Sequence, residues 1–183
     1  MQMHPDCERI MLTEQQLRTR VAEVAAAVDK EYQGKRPLVV GILKGSIIFY
    51  SDFIRCLSMP VELDFMAVSS YGTGSVSSGK LKIKKDLDKD VAGRDVIIVE
   101  DIIDSGFTLA NLKALLTERG ASSVKIVTLL NKAERREYEI APDYNCFDIE
   151  NEFVIGYGLD YNEQYRNLPY IGILKRSVYE KVS

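Results

Sequence analysis

The stretch "DVIIVEDIIDSGFTLANL", Asp95 to Leu112, decides how the chain folds. Val96 to Val99 is an unbroken apolar run, the pattern of a strand buried on both faces. Glu100, Asp101 and Asp104 follow at once, separated only by Ile102 and Ile103. Ser105, Gly106 and Phe107 then lead into a segment of helical pattern, expected from Thr108 to Arg119. In an open parallel α/β sheet, ligands bind outside the carboxyl ends of the strands, where loops and helix N-termini converge. Acids crowded there repel one another and call for a cation, a metal or a sugar polyol. The unpaired N–H groups that open the helix favour an anion such as phosphate. The hydroxyls of Ser105 and Thr108 add donors, and Gly106 permits close backbone approach. A helix cap would account for Asp104 or Ser105, but not for two more carboxylates beside so apolar a strand.

The flanking sequence extends the same architecture. "PLVVGILKG" is a buried-strand pattern ending in Lys44 and Gly45, "SIIFYSDFIRCL" a helix, and "PVELDFMAVSSY" another strand. After the Asp95 stretch, "SVKIVTLLNK" supplies the next strand, so the βαβ order occurs twice and predicts a parallel sheet with helices on its faces. "LTEQQLRTRVAEVAAAVDKEY" carries Leu17, Val21, Val24, Ala25 and Val28 at amphipathic-helix spacing, with Thr13 as its N-cap. "GTGSVSSGKLKIKKDLDKDVAGRD" reads as a mobile loop returning as a hairpin strand, and the aromatic, glycine-rich "EFVIGYGLDYNEQYRNLPYIGIL" as a small cap beside the sheet.

Composition narrows the function classes. A chain of 183 residues, 46% hydrophobic and 28% charged, is expected to form one globular domain. A net charge of −3 provides no global field for nucleic acid or an acidic membrane. Cys7, Cys56 and Cys146 form no C-x-x-C pair, which argues against sulfur-bound metal; Cys56 and Cys146 are expected as small buried hydrophobes. With no charged leader and no apolar run of membrane-spanning length, the protein is expected to be cytoplasmic. His4, the only histidine, falls near a terminus expected to be mobile, so proton transfer is assigned to Asp, Glu, Lys or Tyr. "GSVSSGKL", Gly74 to Leu81, fits the phosphate-loop spacing, but Leu81 replaces the Ser or Thr that would ligand magnesium, and no helix pattern follows.

Taken together, these motifs resemble the type I phosphoribosyltransferases, and "VEDIIDSG" resembles those of the hypoxanthine-guanine kind. "LKGS" at 43 to 46 is similar to the family's pyrophosphate loop, "SSYG" at 69 to 72 to its lid, "LLNK" at 129 to 132 to its base-binding lysine strand, and "EFVIGYGLDYNEQYRNLPYIG" to its C-terminal hood. The resemblance implies a single α/β domain, with a mainly parallel core over about residues 10–148 and a hood over about 149–183 that includes N-terminal chain. It implies that Glu100 and Asp101 hold the ribose hydroxyls, directly or through Mg²⁺, and that Asp104 is the general base near N7 of a purine. Asp104, Ser105, Gly106, Phe107 and Thr108 would form the 5′-phosphate site; the family varies at Phe107, where a Lys or Asn can stand, which leaves the main-chain donors intact but removes one side-chain contact. Lys44, Gly45 and Arg166 would bind pyrophosphate, with a non-proline cis peptide between Lys44 and Gly45. Lys132 would donate to the 6-oxo group, Phe153 stack on the base, Val154 offer backbone contacts, and Asp160 help hold a second Mg²⁺ through water. Ser70 and Tyr71 would belong to the lid, while Tyr157, Tyr161 and Tyr165 are left to packing.

The implied reaction joins phosphoribosyl pyrophosphate to hypoxanthine or guanine, giving IMP or GMP and pyrophosphate, in a homodimer or homotetramer with no nucleic-acid or membrane partner. The same fold also serves regulators that bind nucleotide and then nucleic acid; those should show a basic face, absent from this composition. An acidic-pocket phosphotransfer domain would use an aspartate nucleophile and leaves the hood unexplained.

Overall fold

The structure, a computed structural model, describes residues 2–70 and 81–180. The chain runs β1 (Cys7–Leu12), α1 (Glu14–Glu31), β2 (Leu38–Leu43), α2 (Ile47–Cys56), β3 (Glu62–Ser70), β4 (Leu81–Lys85), β5 (Asp95–Ile103) and α3 (Phe107–Glu118). It continues through β6 (Ser123–Asn131), β7 (Tyr144–Asp148), β8 (Val154–Ile155), β9 (Ile171–Leu174) and the single turn α4 (Arg176–Tyr179). Six strands form the central sheet in the order β4-β3-β2-β5-β6-β7. All neighbours are parallel except β4, which returns antiparallel beside β3 as the alternating "KLKIK" predicts.

Alternation along the strands builds two apolar layers, as a sheet covered on both faces requires. Val39, Ile97, Val99, Val127 and Leu129 pack with α1 and α2, while Val40, Ile98 and Ile126 pack with Leu109, Leu112 and Leu116 of α3. Helix α1 opens with the expected Thr13, in a capping box with Gln16, and buries the five residues named from its periodicity. Chain order then decides where a ligand can sit. From β2 the chain passes through α2 to β3 on one side, and from β5 through α3 to β6 on the other. Strand order therefore reverses between β2 and β5, and the crevice opens at their carboxyl ends.

Three expectations change. Strand β5 does not stop at Val99: its ladder with β6 continues to Ile103 opposite Asn131, so Glu100 and Asp101 stand inside the last turn of pleat and not in a loop. Cys56 shares the helix face of Phe49 and Phe53 by spacing but is exposed, because it is the last residue of α2 and borders an open groove; only Cys7 and Cys146 are buried, and all three thiols are free. The N-terminal segment is tied down: His4 N–H donates to the Tyr170 hydroxyl at 2.8 Å, and β1 pairs with β9. β1, β9 and β8 thus make a three-stranded antiparallel hood from both ends of the chain. Within the hood, the buried Tyr157 donates its hydroxyl to Asp52 of α2 at 2.6 Å, fastening hood to core. The loop "GTGSVSSGK" and Tyr71 lie outside the described residues, and Ser70 is the last residue of β3.

Candidate active site

A cavity of about 380 Å³ occupies the β2/β5 crevice. Ten consecutive residues, Glu100 to Leu109, line it together with Gly45 and the ends of β2 and β3. Sequence and cavity coincide because the strand end, the turn and the first turn of α3 are one continuous segment. Glu100 is only 8% exposed and sits beside Asp101. Burial, and then the neighbouring Asp101 charge, push the Glu100 carboxyl well above its ordinary range; burial also raises Asp101. Among the described residues no lysine or arginine forms an ion pair with either acid, although the Arg166 charge reaches Asp101. A buried and a half-buried carboxylate side by side, without an ion-paired cation among the described residues, are the share of ligands that Mg²⁺ takes from a protein when substrate oxygens and water supply the rest. The residues present therefore fit that ion. Asp160 does not join them in a cluster: no group of three metal-binding side chains converges among the described residues.

Asp104 begins the turn after β5. Its Oδ1, shielded from solvent, lies 3.2 Å from Arg135 Nε, an ion contact without hydrogen-bond alignment, and so remains an unmatched acceptor. Asp104 is not the helix cap. Helix α3 is capped by Gly106, in a left-handed conformation and without a side-chain cap bond, and begins at Phe107, one residue earlier than the pattern predicts. The residues that open it, Phe107 to Leu109, line the cavity, where a helix start suits a phosphate, and Phe107 N–H donates to Ser105 Oγ at 3.3 Å. The turn is braced from behind: Ser105 C=O accepts from Glu137 N–H at 2.9 Å and Tyr138 N–H at 3.1 Å, and the Phe107 ring meets Tyr138 edge-on. Phe107 thus serves packing where the family can place a polar side chain.

The loop after β2 is fitted between core and hood. A Cβ on Gly45 would lie 1.8 Å from Asp101 Oδ2, and one on Gly158 would lie 2.0 Å from the Gly45 carbonyl oxygen. Only two glycines allow the loop, the acidic strand end and the hood turn to touch. The non-proline cis peptide is present one bond earlier than expected, between Leu43 and Lys44. Lys44 projects into solvent, 68% exposed, and pairs with Glu163 at 3.0 Å. Arg166 contacts Asp160 at 2.9 Å and Glu163 at 3.5 Å, and its Nε has no partner. The two cations expected to meet pyrophosphate are therefore joined through one carboxylate, Glu163. Arg166 lines a second groove beside α1 and α2 rather than the main cavity.

At the far end of the crevice, Lys132 follows β6. Its amine donates to the Glu152 carbonyl at 2.7 Å, and burial lowers its pKa. The next residue in the hood, Phe153, is 37% exposed, and Val154 beyond it is buried in β8. Tyr161, expected only to pack, meets the Phe153 ring edge-on at 5.5 Å. Sequence reasoning missed Arg135 and Glu163. Their only signal was position: Arg135 follows Lys132 by three residues, and Glu163 precedes Arg166 by three.

The buried acid pair has a consequence for stability. An unfolded glutamate ionises near its ordinary 4.5, whereas folded Glu100 keeps its proton to higher pH. The folded state then binds more protons in between, so this group lowers stability as pH rises. Glu100→Gln removes that cost, and the ligand-free variant should melt about 2–4 °C higher than the wild type at pH 8. The gain should shrink at pH 5. A melting temperature that is lower, or a gain equal at both pH values, would contradict the assignment.

The phosphoribosyl transferase domain family matches residues 10–162 of the chain. The hypoxanthine-guanine phosphoribosyltransferase of Streptococcus thermophilus is 48% identical, over 98% of this chain and 99% of that protein. The bifunctional protein TilS/HprT of Listeria monocytogenes is 52% identical over 98% of this chain, which spans only 28% of that longer protein. A crystal structure of a hypoxanthine phosphoribosyltransferase from Staphylococcus aureus superposes with a TM-score of 0.94 at 47% identity, covering 97% of both chains. With the acidic strand end, the glycine-capped helix start and the glycine-fitted loop in one crevice, the chain belongs to the phosphoribosyl transferase domain family, among its hypoxanthine-guanine members.

Proposed function

We propose that the chain transfers the 5-phosphoribosyl group of phosphoribosyl pyrophosphate to hypoxanthine or guanine, a purine-salvage reaction giving IMP or GMP and pyrophosphate. One cavity carries this assignment: a polyol-binding acid pair, an unmatched acceptor and a helix start follow one another around a single wall. Glu100 and Asp101 hold the ribose hydroxyls and would hold Mg²⁺, which would supply charge neutralisation for the leaving diphosphate. The 5′-phosphate rests on Ser105 to Thr108. Lys44, the backbone of Gly45 and Arg166 receive the pyrophosphate. Lys132 donates to the 6-oxo group, Phe153 stacks on the ring, Val154 offers backbone contacts, and Asp160 would help hold a second Mg²⁺.

Bond changes follow this placement. The C1′–oxygen bond to pyrophosphate breaks, the C1′–nitrogen bond forms, and the proton of the attacking purine passes to Asp104, whose Oδ1 lacks a donor. Arg135 must give up its contact with Asp104, or share it, when the base arrives. Ser70 and Tyr71 complete the reading as parts of a lid that excludes water from the cationic C1′. The protein works in the cytoplasm as a homodimer or homotetramer; the exposed Ile47 and Ile48 beside the Lys44 loop are consistent with association. Among the described residues no helix is long and apolar enough to cross a membrane.

Incubation with phosphoribosyl pyrophosphate, Mg²⁺ and hypoxanthine, guanine, xanthine or adenine in turn should yield nucleotide from the first two. No product from any base would overturn the proposal. Asp104→Asn should lower kcat by about 10²- to 10⁴-fold while leaving the KM for phosphoribosyl pyrophosphate within a fewfold range, and an unchanged kcat removes Asp104 from the base role. Glu163→Gln frees Lys44 and Arg166 from their shared carboxylate. Calorimetric titration should then show pyrophosphate binding about two- to fivefold tighter, the scale of an exposed ion pair. Weaker binding would mean that Glu163 positions the cations instead of competing with their ligand.

A further inference from the structure

The C-terminal turn reaches into the proposed base site. α4 places Tyr179 against Phe153, ring centroids 4.8 Å apart with an interplanar angle of 23°, a stacked pair. The contact is built by hydrogen bonds, not by a loose tail. Leu174 N–H donates to the Phe153 carbonyl at 2.8 Å, which ties the end of β9 to the start of β8. Lys175 then bonds twice to the N-terminal segment, through its N–H to the Asp6 carbonyl at 2.9 Å and through its amine to the Pro5 carbonyl at 2.6 Å. Val178 N–H closes the turn on the Lys175 carbonyl at 3.0 Å, and Tyr179 follows half-buried. Phe153 meets Tyr161 edge-on and Tyr179 face-on, yet keeps 37% of its surface open. That opening is where a planar ligand can lie.

We infer that Tyr179 is a positioning residue for the purine: its ring backs Phe153 and fixes the pitch of the surface on which the base stacks. The inference rests on the proposed function, because it assumes that Phe153 takes a 6-oxopurine. Phe153 stands outside the sheet core, one residue beyond the Glu152 carbonyl that Lys132 meets, and an exposed aromatic side chain is free to rotate unless something covers it. Tyr179 provides that cover, so a three-ring stack of Tyr179, Phe153 and base forms without new ordering of the protein when the base binds. The cover comes from the ring and does not need the hydroxyl. Neither Lys132, which meets the 6-oxo group, nor the phosphate turn depends on it.

Steady-state kinetics with hypoxanthine and phosphoribosyl pyrophosphate varied separately test this, alongside thermal melts. Tyr179→Ala should raise the KM for hypoxanthine about three- to tenfold, the scale of one aromatic pair, and leave the KM for phosphoribosyl pyrophosphate within about twofold. Tyr179→Phe should restore the wild-type value. An unchanged or lowered hypoxanthine KM in Tyr179→Ala would overturn the inference, the second because it would place Tyr179 where the base belongs. So would an equal rise in both KM values with a lowered melting temperature, or a Phe variant as impaired as the Ala variant. A wild-type protein that forms no nucleotide would overturn the proposed function and this inference with it; an active wild type beside an unaltered Ala variant would overturn this inference alone.

Discussion

Two adjacent carboxylates at the end of the central strand, Glu100 buried and Asp101 half-buried, with no ion-paired cation among the described residues, are the constraint around which the crevice is arranged. Glu100 and Asp101 are carried there by β5, which pairs with β2 as far as Val99 and with β6 on to Ile103. Their repulsion and desolvation are stored in the ligand-free fold, and the apolar layers on both faces of the sheet offset that cost. A cation or a polyol entering the crevice relieves it. The same strain that weakens the empty protein therefore contributes to affinity for the right ligand.

Around this pair the other groups are placed by contact. Gly45 touches Asp101 on one side and Gly158 on the other, so the loop after β2, the acidic strand end and the hood turn form one packed unit. The hood is itself closed by the chain's two ends, β1 against β9, and is fastened to α2 through Tyr157 and Asp52. Phe153 and Tyr179 lie on that hood, whereas Asp104 and the phosphate turn lie on the core. In the proposed reading the ring face of the base would rest on the hood, while its polar edge and the sugar-phosphate would be held by the core.

How much of this was legible depended on how local each signal was. The run from Val96 to Thr108 needed no tertiary information, because strand, acids, turn and helix start are contiguous and the cavity wall is that same segment. The helix α1 and its cap were equally readable from spacing. Strand β5 was read short because acids ordinarily end a buried run; only the neighbouring ladder with β6 shows the strand continuing through them. Cys56 lies on the buried face of α2 by spacing, and only the fold shows that the cover over that face ends before the last residue of the helix. Arg135 and Glu163 look like ordinary surface charges in the sequence, and their meaning comes from Asp104, Lys44 and Arg166, which are remote or differently oriented until the chain folds.

By itself, the sequence determined the α/β order, the acidic strand end and the kind of ligand it suits, since each depends on periodicity and side-chain chemistry over a few adjacent residues. Tertiary structure alone decided that Lys44 and Arg166 meet across Glu163, that Asp160 stands apart from the acid pair, and that Tyr179 lies on Phe153. Those relations join residues far apart in the chain, and distance through space between them is set by packing, which no local pattern encodes.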